Sequence, residues 1–377
     1  MLTPIRTFFA ASLTASLLLT SSLYSMPVNA AQDTAAWFTH SDIALPKGTK
    51  VAQLQNQLRY VLLPTSRSAT AVSIRIRFPI ASPSANQAVN SIIENSNWAF
   101  QSDADQTVLK LDLPNQENVT LQDALQDISV RIQAQNSNDL LTPIDASVVV
   151  AGNLNTRIAT KALEDAFSTW VPQAAQVSAS TDPLQSIAQE KAEETKPTVS
   201  YTAHTILNSR EDNKLTRKQL LTAIIANKIL EQRLKKALEQ ESVEISVSNK
   251  VLGQTNLVSQ VAVVSDDNQR IQQAQKVVQQ EIDRAKASGF SQAEYEMVVS
   301  ELRNELEKKT RRYDEAYTAH QADTLVTAIN EGKVYTSPSY DLELMNFHVA
   351  HLNEFDISNE FEHIWQKPME MVILPNS

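Results

Sequence analysis

Ala71-Val72-Ser73-Ile74-Arg75-Ile76-Arg77-Phe78 alternates without a break, with Val72, Ile74, Ile76 and Phe78 on one face and Ser73, Arg75 and Arg77 on the other. A period of two is that of a half-buried antiparallel strand. Upstream, Leu58-Arg59-Tyr60-Val61-Leu62-Leu63 alternates loosely and stops at Pro64. Downstream, Gln106-Thr107-Val108-Leu109-Lys110-Leu111-Asp112-Leu113 repeats the pattern and stops at Pro114. A meander of strands therefore opens the folded part of the chain.

These stretches resemble the opening of the insulinase/pitrilysin family of zinc peptidases, which includes the mitochondrial processing peptidases. In that family a strand like 71–78 leads into a long helix carrying His-x-x-Glu-His, and a strand similar to residues 105–114 follows. Here both strands are present, but PIASPSANQAVNSIIENSNWAFQSDA between Phe78 and Asp105 has no histidine. The family carries its acidic ligand in a long insertion ahead of a strand that residues 146–151 resemble; here only residues 133–145 make that connection. The resemblance implies an α+β fold of two related modules of antiparallel sheet covered by helices (metallopeptidase-like), the first one trimmed. For this chain it implies no catalytic residue, no metal ligand and no cofactor.

Composition agrees with an ordinary globular protein. The chain has 377 residues, 42% hydrophobic and 20% charged, long enough for about two domains. A net charge of −10 argues against nucleic acid as a partner, since phosphate contacts need a basic surface. Five glycines leave no material for a Gly-rich phosphate loop. Gly152-Asn153-Leu154-Asn155, after the apolar run Val148-Val149-Val150-Ala151, reads as a plain strand-to-helix junction because the further glycines of a nucleotide turn are missing. The absence of cysteine excludes disulfides, thiolate zinc sites and a cysteine nucleophile.

The N-terminus predicts the compartment. Arg6, an apolar and small-residue run from Phe8 to Leu23, and Val28-Asn29-Ala30 read as a secretory signal peptide over residues 1–30, cut after Ala30 or Ala31. The run is too short and too broken by Ser and Thr for a span of about 20 apolar residues, and no later segment is apolar enough to cross a bilayer, so no membrane span is expected after cleavage. The expected location is the periplasm.

The mature chain divides by composition into a reduced N-terminal peptidase-like domain (31–172), an Ala-, Gln-, Ser- and Glu-rich linker (173–198) and a C-terminal peptidase-like domain (199–377). In the first domain, residues 49–78 are expected to give two strands and residues 87–100 one short helix with Val89, Ile92 and Ile93 on its apolar side. Thr120 is expected to cap a helix bearing Leu121, Ala124, Leu125, Ile128 and Ile132. Thr156 is expected to cap another with Ile158, Ala162, Leu163 and Phe167 facing inward. In the second domain, a strand at 199–207 precedes a long helix capped by Thr216. Strands at 243–247 and 257–264 and a helix from Asp267 to Gly289 follow. Ser291 with Glu294 predicts a capping box, and Phe290 a staple onto Tyr295. Gly289-Phe290-Ser291-Gln292-Ala293-Glu294 and Glu331-Gly332-Lys333-Val334-Tyr335-Thr336-Ser337-Pro338 resemble landmarks of the family's C-terminal domain. Helices around 322–329, 341–352 and 357–365 and a last strand at 369–374 complete the pattern.

Six histidines exist: His40, His204, His320, His348, His351 and His363. None opens His-x-x-Glu-His; Asn359-Glu360-Phe361-Glu362-His363 comes nearest, with asparagine in the first ligand position. His348 and His351 share a helix face but lack an acidic third ligand at helical spacing. The implied function is that of an exported non-catalytic insulinase-like pseudo-peptidase, a partner or substrate-holding subunit of an active zinc peptidase of the same family. Two alternatives stay open: a freestanding peptide-binding or structural periplasmic protein, and a zinc peptidase with a rebuilt metal site. With the long helix gone, the row Val72, Ile74, Ile76 and Phe78 is expected to lie uncovered and to dock a partner or a second copy of the chain, with Arg75 and Arg77 mattering less.

Overall fold

The computed structural model describes residues 38, 41–65, 71–103, 105–114, 119–134, 141–171, 196–252, 255–312 and 318–373. The predicted signal peptide and almost all of the predicted linker lie outside them. The first sheet contains β1 (Lys50–Gln53), β2 (Arg59–Pro64), β3 (Val72–Phe78), β4 (Ala99–Ser102), β5 (Thr107–Leu113) and β6 (Ser147–Gly152), in the order β1-β2-β6-β3-β5-β4. All its neighbours are antiparallel except β2 and β6, which run parallel from Arg59↔Ser147 to Pro64↔Gly152. The sheet is thus mixed: β6 arrives after a helical crossover and inserts between β2 and β3, so the successive strands β2 and β3 are not partners.

Three helices cover one face of this sheet: α1 (Pro83–Ile93), α2 (Leu121–Ala134) and α3 (Thr156–Phe167). Ser82 caps α1 and Pro83 stands in its first turn, so the helix begins ahead of the predicted start. Phe100, expected at the end of that helix, belongs instead to β4. Thr120 caps α2 as predicted, accepting from the Asp123 amide at 3.1 Å. The cap of α3 is Asn155, whose side chain accepts from the Arg157 and Ile158 amides. Ala162, Leu163 and Phe167 face the core as expected, joined by Ala159 and Ala166, but Ile158 in the first turn is 68% exposed.

The second sheet is antiparallel throughout and contains β7 (Thr198–Ile206), β8 (Glu244–Leu252), β9 (Asn256–Val264) and β10 (Met369–Ile373), ordered β10-β7-β9-β8. Its helices are α4 (Lys214–Ala237), α5 (Asn268–Ser288), α6 (Gln292–Arg312), α8 (Pro338–Val349) and α9 (Glu354–Ile364), with α7 (Thr318–Asn330) between α6 and α8 in the chain. Asn213, rather than Thr216, caps α4. Asp267 caps α5 and Gly289 closes it at φ +66°, as predicted. The Ser291–Glu294 box also forms: the Ser291 amide donates to Glu294 at 2.8 Å and the Glu294 amide to Ser291 Oγ at 3.4 Å. Phe290 and Tyr295 are both buried in the second core.

The helix α7 leaves its neighbours in sequence and packs on the first sheet, opposite α1–α3. Ala322, Leu325, Val326 and Ile329 form a core there with Val61, Leu63, Val108, Val149 and Ala151. This corrects the expectation of an uncovered face. Val72, Ile74, Ile76 and Phe78 are all at most 1% exposed under α1–α3, and the polar row Ser73, Arg75 and Arg77 is buried as well, under α7. Alternation shows that one face of a strand is polar; it does not show that water lies against it. The two sheets lie in one unit, Ala35–Ser377. Among the described residues, no helix is long and apolar enough to cross a membrane.

Candidate functional site

The helix between β3 and β4 decides the chemistry, because the resemblance assigns the zinc-binding residues to that place. It is α1, eleven residues reading PSANQAVNSII, with neither an imidazole nor a carboxylate along it. Ala85, Ala88, Val89 and Ile92 are its buried residues, and Ala88, Val89 and Ile92 join the core that holds Ile74, Ile76 and Leu111. The inward face of α1 is aliphatic, and its outward face carries Ser84, Gln87, Asn90 and Ser91.

The histidines are dispersed. His204 on β7, His320 on α7, His351 on α8 and His363 on α9 are exposed, and His40 lies outside the described residues. His348 on α8 is buried, and burial, followed by repulsion from Lys218, lowers its pKa and favours the neutral ring. His351, three residues on, is exposed, with Nδ1 against the Phe347 carbonyl oxygen at 3.0 Å. In the stretch 359–363, Phe361 points into the core against Phe290 and Trp365, while Asn359 and His363 are exposed on the far side of α9. Burial raises the pKa of Glu360, with His363 working against it. Among the described residues, no three His, Cys, Asp or Glu side chains gather as a metal site would need.

Two polar clusters that the sequence reading missed hold the molecule together. Under α7, Arg75 is 1% exposed and donates Nε to Asp323 at 2.7 Å and Nη1 to Asp112 at 2.8 Å. Lys110 adds an ion pair to Asp323 at 3.2 Å, and Ser73 and Thr318 share a hydrogen bond of 2.7 Å. Burial pulls Arg77 down to about 10, partly offset by Asp105; its guanidinium donates to Gln106 and Asn330. The second cluster centres on Arg217, which makes two bonds to Asp212 (2.9 and 2.7 Å) and reaches Asp341, Thr336 and the Val334 carbonyl. It ties α4 to the turn before α8. The contacts that join distant parts of the chain have no local signature, since Arg75 and Asp323 lie 248 residues apart and Arg217 and Asp341 lie 124 apart.

Arg217 and His348 also stand on the wall of a cleft of about 480 Å³ between α4, α6, α7 and α8. Leu220, Ile224, Leu302, Leu306, Leu344 and Met345 supply its apolar lining. Asp212, Glu305, Lys309, Lys333 and Asp341 also line it, so the cleft combines apolar walls with charged groups, as ligand pockets do.

Residues 137–302 match the family described as the peptidase M16 inactive domain. That matched stretch, less than half of the chain, is similar to an inactive domain of the M16 type. The fold of the chain matches the first half of the periplasmic protease PqqL from Escherichia coli with TM-score 0.71 at 12% identity, covering 89% of this chain and 93% of that one. Against the PqqL structure that is not cut to its first half, the TM-score is 0.68 at 12% identity, over 89% of this chain and 48% of that one, so the chain spans about half of that length. A predicted insulinase family protease from Yersinia pestis matches with TM-score 0.64 at 16% identity, over 87% of this chain and 92% of the other. No curated protein matches the sequence. The α+β fold that the resemblance implied is therefore the observed one, and the match to an inactive domain over residues 137–302 agrees with an inactive-type reading of that stretch.

Proposed function

We propose that this insulinase-like chain is a non-catalytic, exported protein that serves an active zinc peptidase of the same type as a partner or substrate-holding subunit. The observation that carries the reading is α1: the helix at the catalytic position is short, has no imidazole or carboxylate to bind zinc or activate water, and turns an aliphatic face to the core. The signal-like residues 1–30 support a periplasmic location, as does the fold shared with a protease described as periplasmic. A second reading, a freestanding peptide-binding protein, draws on the apolar cleft between α4, α6, α7 and α8. The test mixes the purified chain with an insulinase-type zinc peptidase from the same cell, measuring complex formation by sedimentation and kcat/KM on an unstructured peptide. A complex, with kcat/KM changed at least about threefold, is the expected result. Unaltered kinetics without a complex would remove the subunit reading and leave the freestanding one.

A further inference from the structure

The order β10-β7-β9-β8 leaves β8 a neighbour on one side only. Its nine residues pair with β9 in regular register from Glu244↔Val264 to Leu252↔Asn256. Among the described residues, no residue of β8 makes any other main-chain hydrogen bond. A row of outward-facing N–H and C=O groups is a template for another strand, and protein edges are usually blunted by shortness, charged side chains, proline, a bulge or cover; of these β8 carries the charges Glu244 and Lys250. β8 is longer than the usual five or six residues or so, and it has no proline and no bulge.

The sequence of this edge is complementary to itself. Laid antiparallel beside a second copy with Val247 opposite Val247, Glu244 faces Lys250, Ile245 faces Asn249 and Ser246 faces Ser248. Two-fold symmetry forms each of these pairs twice. Glu244, Ser246, Ser248 and Lys250 share the exposed face, and among the described residues neither Glu244 nor Lys250 has an ion pair or side-chain hydrogen bond. Ile245, Val247 and Val251 on the other face pack against the second core but remain only partly buried, as an incomplete sheet would leave them. Sliding the pairing by one residue in either strand would set the polar face against the apolar one. Sliding it by two separates Glu244 from Lys250, and parallel pairing in register places like charges side by side. Among these arrangements, the antiparallel register centred on Val247 is the one that sets Glu244 against Lys250 and keeps the exposed face polar.

We propose that β8 is the interface of a two-fold homodimer in which the second sheets of two chains join edge to edge. The assignment does not depend on the non-catalytic reading, and its test uses neither substrate nor metal. Sedimentation of the mature chain over a range of concentrations should show a monomer–dimer equilibrium. Lys250→Glu places Glu against Glu244 in both cross-strand pairs and should weaken the dimer about tenfold, with Glu244→Lys acting alike. The double variant Glu244→Lys with Lys250→Glu restores opposite charges and should return to within about threefold of the parent. Because the chain has no cysteine, Val247→Cys adds a single thiol that faces its own copy. Directly opposed Cα atoms about 4.5 to 5.5 Å apart suit a disulfide, so mild oxidation should cross-link that variant. Circular dichroism on each variant checks that the fold is kept. A monomer at all concentrations overturns the proposal. So does a dimer that ignores both single charge reversals and leaves Val247→Cys uncross-linked, or a lone chain whose β8 edge takes up an extended peptide instead.

Discussion

Arg75→Ala is expected to lower the unfolding free energy by roughly 3 kcal/mol and to free α7 before the rest of the molecule opens. The guanidinium is almost fully buried between the first sheet and α7, with Asp323, Asp112 and the Ile74 carbonyl all within 3.0 Å. Its removal leaves a cavity at the junction and two carboxylates without their main cation. Those side chains are 41% and 53% exposed, so water recovers part of the loss and the effect stays at the low end for a broken buried pair. Arg75→Met keeps most of the volume and should cost less. Hydrogen exchange gives the specific readout: protection should fall across Thr318–Asn330 while β7–β9 stay protected. Acid sensitivity should change too. Burial raises the pKa of Asp323, but Arg75 and then Lys110 outweigh it, so the folded value lies below the ordinary one. This contribution is present above the unfolded pKa of about 3.9 and is lost as pH falls through the lower folded value, so the variant should show a flatter acid limb.

A second large effect is expected from Gly152→Ala, about 3 kcal/mol or more of destabilisation. Gly152 has φ +138°, and a Cβ built there would lie 2.3 Å from the Ala71 carbonyl oxygen and 2.9 Å from Val72 Cα. Both obstacles are backbone and cannot rotate away. They are also part of the sheet: Val72 pairs with Gly152, and the Asn153 amide donates to that same Ala71 oxygen at 3.0 Å. Relief would require β3 to move off β6. Gly48→Ala is the comparison; its φ is also positive at +85°, but its Cβ would meet only the ring edge of Pro64 at 3.2 Å, and about 1 kcal/mol is expected. Chemical denaturation of the two variants should separate them clearly. Equal losses would show that the close approach at Gly152 is not what demands glycine.

Much of the fold can be read from the order of strands and helices, because period-two and helical patterns survive packing in β3, β5, α2 and α5. What escaped follows from causes that local pattern does not contain. β1 and β4 span only four residues each, too few for alternation to stand out. Asn155 and Asn213 competed with Thr156 and Thr216 for the caps, and Ile158, although one turn from buried Ala162, is exposed in the first turn of α3. β8 runs on to Leu252 through Asn249 and Lys250, weak strand formers held by pairing with β9. The largest miss concerned α7. Its helical spacing was visible, but not that its face covers the sheet of the other half and buries Arg75. The candidate site was legible mainly as a lack, since α1 carries no ligand-type side chain in sequence or in structure; the apolar cleft depends on four helices meeting and has no signature in any one of them.

The central claim, that the position of α1 supports no zinc-dependent hydrolysis, is tested most directly by incubating the purified chain with zinc and unstructured peptides and analysing the products by mass spectrometry. The account predicts no cleavage above that of buffer with zinc alone. Peptide hydrolysis that a chelator abolishes, zinc restores and His348→Ala with His351→Ala eliminates would contradict it and place a rebuilt metal site on α8.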